Sequence, residues 1–398
     1  MRATSAFLVI LLTHLMTSPS LNAQETAVNW LDKQMPERFS GTTFGVPWAK
    51  GTVQPHQSFN LLSDNDGALP IQTWPLAFWP DGSVKWTAVA LAPGEDLSAN
   101  LRLAAGTQAD RPKTIALSED DHAITINTGS IEAVLNKQGN NIIQSILKNG
   151  VKTANNGHLV VLRQNTPETD AKTPVVTTAF KGQISGIEVE QDGPVRAVVK
   201  VEGTHIAGNN ETLLPFVVRL YFYAGSDNIR LMHTIIYDGD EEKDFISGIG
   251  LRFEVPMHAS ELYDRHIRFT AEEGGLFGES VQGLTGLRRD PGQEIISAQL
   301  DGQKLPPLEA FPERVRKGLP YIPSFGDYTL LQSSPHAFQI RKRTQTGHTW
   351  LNPAQGERSN GVAMQDHLQA EWPSASKIFG NHTLPSWISA TPSVTRPR

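Results

Sequence analysis

The 398-residue sequence contains no cysteine. That excludes disulfides, cysteine-type zinc sites, iron–sulfur clusters and a thiol nucleophile together. Excess positive charge is also lacking: 35 Lys and Arg face 41 Asp and Glu, a formal net charge of −6. A surface that coats phosphates is not expected, which counts against nucleic acid as a partner. No run reaches the roughly 20 apolar residues that a membrane-spanning helix needs. Phosphate-binding loops, the dinucleotide fingerprint and the Gly-x-Ser-x-Gly elbow are missing. The 12 histidines show no close metal-type pairing, so no metal site is expected from them.

What is present is ordinary globular composition, 39% hydrophobic and 19% charged. It suffices for a sizeable core, and the length suggests about two to three domains. The N-terminus reads as a targeting segment. Arg2 is followed by the apolar run Ala6–Leu12, and Leu21-Asn22-Ala23 ends on a small residue. This predicts a secretory signal peptide over 1–23, cut before Gln24, and a mature chain that is periplasmic or secreted. Thr13, His14, Thr17, Ser18 and Pro19 interrupt the run and speak against an anchoring helix.

The remainder reads as strands. Val195–Glu202, Pro215–Tyr223, Ile229–Tyr237 and Phe245–Val255 are rich in β-branched and aromatic residues. Short polar connections separate them, among them the acidic stretch Asp238–Asp244. This pattern predicts an all-β protein with an antiparallel sheet, in a sandwich or a barrel. Nearer the N-terminus, Pro80-Asp81-Gly82 is a turn signal that places Trp79 and Trp86 near the two ends of one hairpin. No long amphipathic helix is expected, and residues after Pro306 carry no clear pattern.

Two sets of blocks resemble a known family. Gly45-Val46-Pro47-Trp48 and Leu69 to Trp86 are similar to the N-terminal domain of exo-rhamnogalacturonan lyase-like proteins, the group of the fungal exo-lyase and the bacterial YetA-like proteins. Gly193 to Val198, Arg219 to Asp227, His233 to Asp240, Lys243 to Ile246 and Gly283 to Asp290 resemble its central domain. The resemblance implies a RIFT-type β-barrel over 24–112 and an antiparallel β-sandwich over 113–375. It also implies a C-terminal α/α toroid. The tail 376–398 resembles only an approach to that toroid, so the chain is expected to lack it. The implied activity is β-elimination in the rhamnogalacturonan backbone of pectin, incomplete without a separately supplied toroid. A non-catalytic carbohydrate-binding or scaffold protein is the alternative.

Elimination beside a uronic acid needs a base for the C5 proton and a cationic clamp for the carboxylate. It also needs aromatic platforms for the sugar faces. His233 and Tyr237 are the candidate bases, since their spacing puts them on one face of a single strand. Arg230 then lies on the opposite face, and Arg252 on the following strand. The bland alternative is a hydrogen-bonded sheet histidine and a core tyrosine. Arg252, Arg288 and Arg289 are candidate carboxylate ligands, although Arg288 and Arg289 serve equally as surface partners of Asp290. Trp79 and Trp86 are candidate sugar platforms, with Asp81 and Lys85 beside them. The favoured reading is plainer: both indoles pack inward, and Pro-Asp-Gly already accounts for Asp81. No cofactor is expected. Calcium at Asp238–Asp244 is conceivable, but the stretch lacks the glycine and the spacing of an EF-hand loop.

Overall fold

A computed structural model describes residues 25–367, apart from 31–38, 66, 95–96, 99, 107–114, 168–174, 257–260, 272–273, 285–289, 335–336, 346 and 358–361. The predicted signal peptide and the tail after 367 lie outside the described residues.

The N-terminal unit contains β1 (Glu25–Asn29), β2 (Thr42–Pro47), β3 (Phe59–Leu62), β4 (Ala68–Leu69), β5 (Ile71–Phe78), β6 (Val84–Leu91) and β7 (Asn100–Ala105). They form a sheet in the order β1-β7-β3-β4 and a second in the order β2-β6-β5. The two enclose one core of Trp48, Phe59, Leu61, Val89, Leu91 and Leu103. Trp48 stacks on Phe59 with ring centroids 5.3 Å apart. Its indole N–H donates to Thr87 Oγ1 at 2.8 Å, so the buried donor is satisfied.

The second unit runs through β8 (Ala116–Glu119), β9 (Ala123–Asn127), β10 (Ile131–Asn136), β11 (Ile143–Lys148), β12 (Val151–Gln164), β13 (Thr177–Asp192), β14 (Arg196–Ile206), β15 (Thr212–Tyr223), β16 (Ile229–Ile235) and β17 (Phe245–Glu254). The path from β8 to β16 is a continuous antiparallel meander. It doubles over at β12, whose first half pairs β11 and whose second half pairs β13. Ile124, Ile126 and Leu135 from one half thereby share a core with Val199, Val218, Leu220 and Phe222 from the other. The two layers of a sandwich result. Alternation shows why: in β15, Phe216, Val218, Leu220 and Phe222 are buried while the residues between them are not.

Two expectations need correction. First, β17 does not extend the meander beside β16. It pairs β12 along the edge opposite β11 and β13, from Asn155↔Glu254 to Gln164↔Phe245. The connection after Ile235 is too long for a tight hairpin, and it lets the chain cross over. Second, β16 ends at Ile235, so Tyr237 does not share its pleat with His233.

Residues from about 261 onward build further small cores. The three-stranded sheet of β18 (Arg265–Ala271), β19 (Gly274–Ser280) and β23 (Val362–His367) packs on that of β20 (Asp327–Ser334), β21 (Ala337–Arg343) and β22 (Leu351–Gly356). Two short helices, α1 (Gln293–Leu300) and α2 (Glu313–Gly318), lie beside them with a separate cluster around Tyr263, Phe311 and Val315.

Candidate functional site

The hairpin joining β5 to β6 follows the turn chemistry of its sequence. Trp79 N–H donates to Ser83 O at 2.8 Å and Gly82 N–H to Trp79 O at 2.9 Å. The Asp81 carboxylate accepts from Ser83 Oγ at 2.6 Å and from Ser83 N at 3.1 Å. Those two bonds hold its pKa below the usual carboxylate range. Asp81 is thus used by the turn. Trp79 is half-buried, donates its indole N–H to Trp48 O at 3.1 Å and lies 4.6 Å from Lys85 Nζ.

Trp86 behaves differently. It is 39% exposed on the outer face of the β2-β6-β5 sheet, beside Leu76 at 56% and Phe78 at 52%. Its six-membered ring covers Gly45: a Cβ there would sit 3.2 Å from Trp86 Cε3, 3.5 Å from Cζ3 and 3.9 Å from Leu76 Cδ1. A Cβ at 45 would make the indole give way by a few tenths of an ångström. Glycine lets it lie down, supported from below and open to solvent elsewhere. Indoles so placed stack on the apolar faces of sugar rings.

The same sheet face continues under the second unit. Gly45, Ala88 and Trp74 are register partners across β2, β6 and β5. Trp74 and Ala90 pack into the sandwich core. Arg196, 7% exposed at the start of β14, carries the junction. Its guanidinium lies 4.5 Å from the Trp74 ring centroid. It donates to Gln191 Oε1 through Nε (2.9 Å) and Nη2 (2.5 Å), and to Thr43 Oγ1 through Nη1 at 2.7 Å. The backbone N–H of Arg196 donates to Gln72 Oε1 at 2.9 Å. Thr43 Oγ1 and Tyr223 OH share a further hydrogen bond of 2.8 Å. Sequence reasoning treated Gln72, Trp74 and Arg196 as family signature only. The runs Ile71-Gln72-Thr73-Trp74 and Gly193-Pro194-Val195-Arg196 turn out to meet each other.

His233 points inward from β16, toward β14 and β15. Its ring lies 5.8 Å from that of His205 and 6.0 Å from that of Phe216. Burial, with the neighbouring His205 second, pushes its pKa down to about 4. His205 donates Nδ1–H to Leu214 O at 2.6 Å, since a carbonyl can only accept. Both Nε2 atoms are buried without a partner among the described residues. An imidazole so enclosed stays neutral at pH 7 and faces the protein interior. Tyr237 is 47% exposed. Partial burial and the carboxylates of Asp244, Glu241, Asp240 and Asp238 push its phenol pKa up, away from the value a base requires. Arg252 is exposed opposite His158, on the outward side of β17. The structure does not bring His233, Tyr237 and Arg252 to one place, because β17 left the neighbourhood of β16. Arg288 and Arg289 lie outside the described residues.

The acidic stretch is engaged in its own architecture. Asp238 Oδ1 accepts from Leu214 N at 2.7 Å, and Asp244 Oδ2 from Asp240 N at 2.8 Å. Asp240 pairs with Lys243 at 2.6 Å. Arg163 bonds both Glu211 and Asp244, the latter at 3.0 Å, and thereby ties the connection to β12. No group of three or more His, Asp or Glu is arranged for a metal among the described residues.

Family comparison agrees with this architecture. The model of the PcRGLX-like N-terminal RIFT barrel domain matches residues 24–106. That of the PcRGLX-like central β-sandwich domain matches residues 115–368, well over half of the chain. The chain belongs to the PcRGLX-like family. Its first unit is therefore the RIFT barrel and its second the core of the central sandwich. It is also 33% identical over 337 residues to the uncharacterized protein YetA of Bacillus subtilis (strain 168). That alignment takes in 84% of this chain and 39% of YetA. This PcRGLX-like chain thus spans about two fifths of the length of that relative. No helix among its described residues is long and apolar enough to cross a membrane.

Proposed function

We propose that this PcRGLX-like chain is an exported protein that binds the rhamnogalacturonan backbone of pectin and takes part in its β-elimination. The observation that carries the reading is Trp86, lying on Gly45 with its free side in solvent next to the junction of barrel and sandwich. Sites between domains are favoured places for ligands. Neither candidate base stands at that surface: the His233 imidazole is buried against His205 and Phe216, and Tyr237 lies beyond the end of β16. The base is accordingly assigned to a further element, for which the family resemblance implies a helical toroid, in the same chain or supplied separately. The Arg2–Ala23 pattern supports a periplasmic or secreted location.

The experiment is incubation of the purified chain with rhamnogalacturonan oligosaccharides, following the ultraviolet absorbance of unsaturated uronate. The expected result is binding without turnover by this chain alone, and turnover when a toroid domain is added. A second reading, a purely carbohydrate-binding protein, rests on the same exposed indole. It predicts binding with no turnover in either case.

A further inference from the structure

We infer that Arg230, held against Tyr221 on the outer face of the sandwich, is the residue that reads the carboxylate of an acidic sugar on this surface. The inference rests on the glycan-binding reading above and names the residue that gives it charge selectivity.

Arg230 and Tyr221 are cross-strand partners on β16 and β15. The β16 alternation turns Arg230, Met232 and Thr234 outward, while Ile229, Leu231, His233 and Ile235 face in. The Arg230 guanidinium lies 5.8 Å from the Tyr221 ring centroid, and that of Arg196 lies 5.5 Å from it. Arg196 in turn lies over Trp74, and Trp74 shares its sheet face with Gly45 and the Trp86 ring that covers it. Sheet register links Gly45, on which the exposed indole lies, to Trp74, and ring contacts run on from Trp74 through Arg196 and Tyr221 to Arg230.

The charges along this face are not equivalent. Arg219 donates from Nε and Nη2 to the Glu190 carboxylate at 2.8 Å each. Lys200 pairs with Glu188 at 2.8 Å and approaches Glu202 at 3.5 Å. Arg196 is buried and bonded to neutral oxygens. Arg230 combines exposure with the lack, among the described residues, of a carboxylate within ion-pair distance, whereas the partly exposed Arg219 is already paired with Glu190. A guanidinium presents paired N–H donors that match a carboxylate in bidentate geometry. Its contact with Tyr221 restricts the side chain before a ligand arrives, which lowers the ordering cost of binding. A polymer that alternates apolar ring faces with carboxylates offers each residue its own partner: a sugar face for Trp86 and a uronate carboxylate for Arg230.

The test is calorimetric titration of the full chain with a rhamnogalacturonan oligosaccharide and with its fully methyl-esterified form, which keeps the rings and removes the charge. The wild type is expected to prefer the acid form. In Arg230→Ala that preference disappears, with affinity for the acid falling about tenfold or more and affinity for the ester unchanged. Arg230→Lys retains part of the preference, because it keeps the charge and loses the fork. Trp86→Ala weakens both forms alike. Acid preference unchanged in Arg230→Ala overturns the assignment while leaving the glycan reading intact. A wild type that binds neither form overturns both.

Discussion

Gln72 of the barrel accepts the backbone N–H of Arg196 of the sandwich at 2.9 Å, so one carboxamide joins the two units. Gly193 makes room for it, since a Cβ at that position would overlap the Gln72 side chain. Gly193→Ala should therefore destabilise the protein by about 1–3 kcal/mol, the range for overpacking a close contact. Gln72→Ala should cost about 1 kcal/mol by removing the hydrogen bond. The double variant should be less destabilised than the sum, because Gln72→Ala removes the atoms that clash. Chemical denaturation of the four proteins in a double-mutant cycle measures this coupling. Strict additivity would contradict the contact.

The buried histidine pair makes stability depend on pH. The His233 pKa is pushed below the ordinary imidazole value of 6.5 to about 4, so the unfolded chain takes up the proton first. This contribution is fully present above about pH 6.5. It is lost as pH falls toward 4, and the total is on the order of 3 kcal/mol. His205, whose pKa is also lowered, chiefly by burial, acts in the same direction. His233→Leu should flatten the fall in stability between these pH values, as read by urea unfolding at a series of pH values. An unchanged slope would mean that the imidazole titrates normally.

Arg163 holds the acidic connection. Its side chain is 19% exposed and bonds Glu211 and Asp244, and its guanidinium lies 5.0 Å from the Phe180 ring centroid. Arg163→Met leaves Asp244 without that partner and should cost about 2 kcal/mol, less than a fully buried pair because water reaches the site. Glycan affinity should not change, since this network lies apart from the Trp86 and Arg230 surface in the contacts that build each. Thermal unfolding and calorimetry on the same variant separate the two effects.

Much of the sandwich was legible in the sequence, for a physical reason. Val195–Glu202 and Pro215–Tyr223 carry β-branched residues at the period of a pleat, and both lie within or overlap observed strands. Phe245–Val255 likewise became β17. The partner of β17 was not legible. Pairing with β12 joins segments far apart in the chain, and alternation shows which face is buried but not which neighbour is chosen. The strand reading also ran two residues too far at Tyr237, and the shared face proposed for His233 and Tyr237 went with it. The unit after residue 261 was illegible because its small cores draw on scattered residues such as Tyr263, Phe311 and Ile340. At the candidate site, Pro80-Asp81-Gly82 announced the hairpin, but the exposure of Trp86 depends on Gly45 across the sheet. Arg196 sat inside an apolar strand run, which concealed its contact with Trp74.

The surface indole separates binding from folding. Trp86 is 39% exposed, so Trp86→Ala should cost little stability, about 1 kcal/mol or less. That is well short of the 3–5 kcal/mol expected for a buried aromatic such as Phe216. Glycan binding should nonetheless weaken about tenfold, in line with the loss of one stacking platform. Gly45→Val should weaken binding in the same direction with Trp86 in place, because the branched side chain crowds the ring. Denaturation midpoints set beside binding isotherms test both statements.

Affinity electrophoresis through a native gel containing rhamnogalacturonan tests the central claim most directly. The wild-type chain should be retarded relative to a polysaccharide-free gel, and Trp86→Ala, equally folded by circular dichroism, should need about tenfold more polysaccharide for the same retardation. Equal mobility of the wild type in both gels would contradict a glycan-binding surface on this protein.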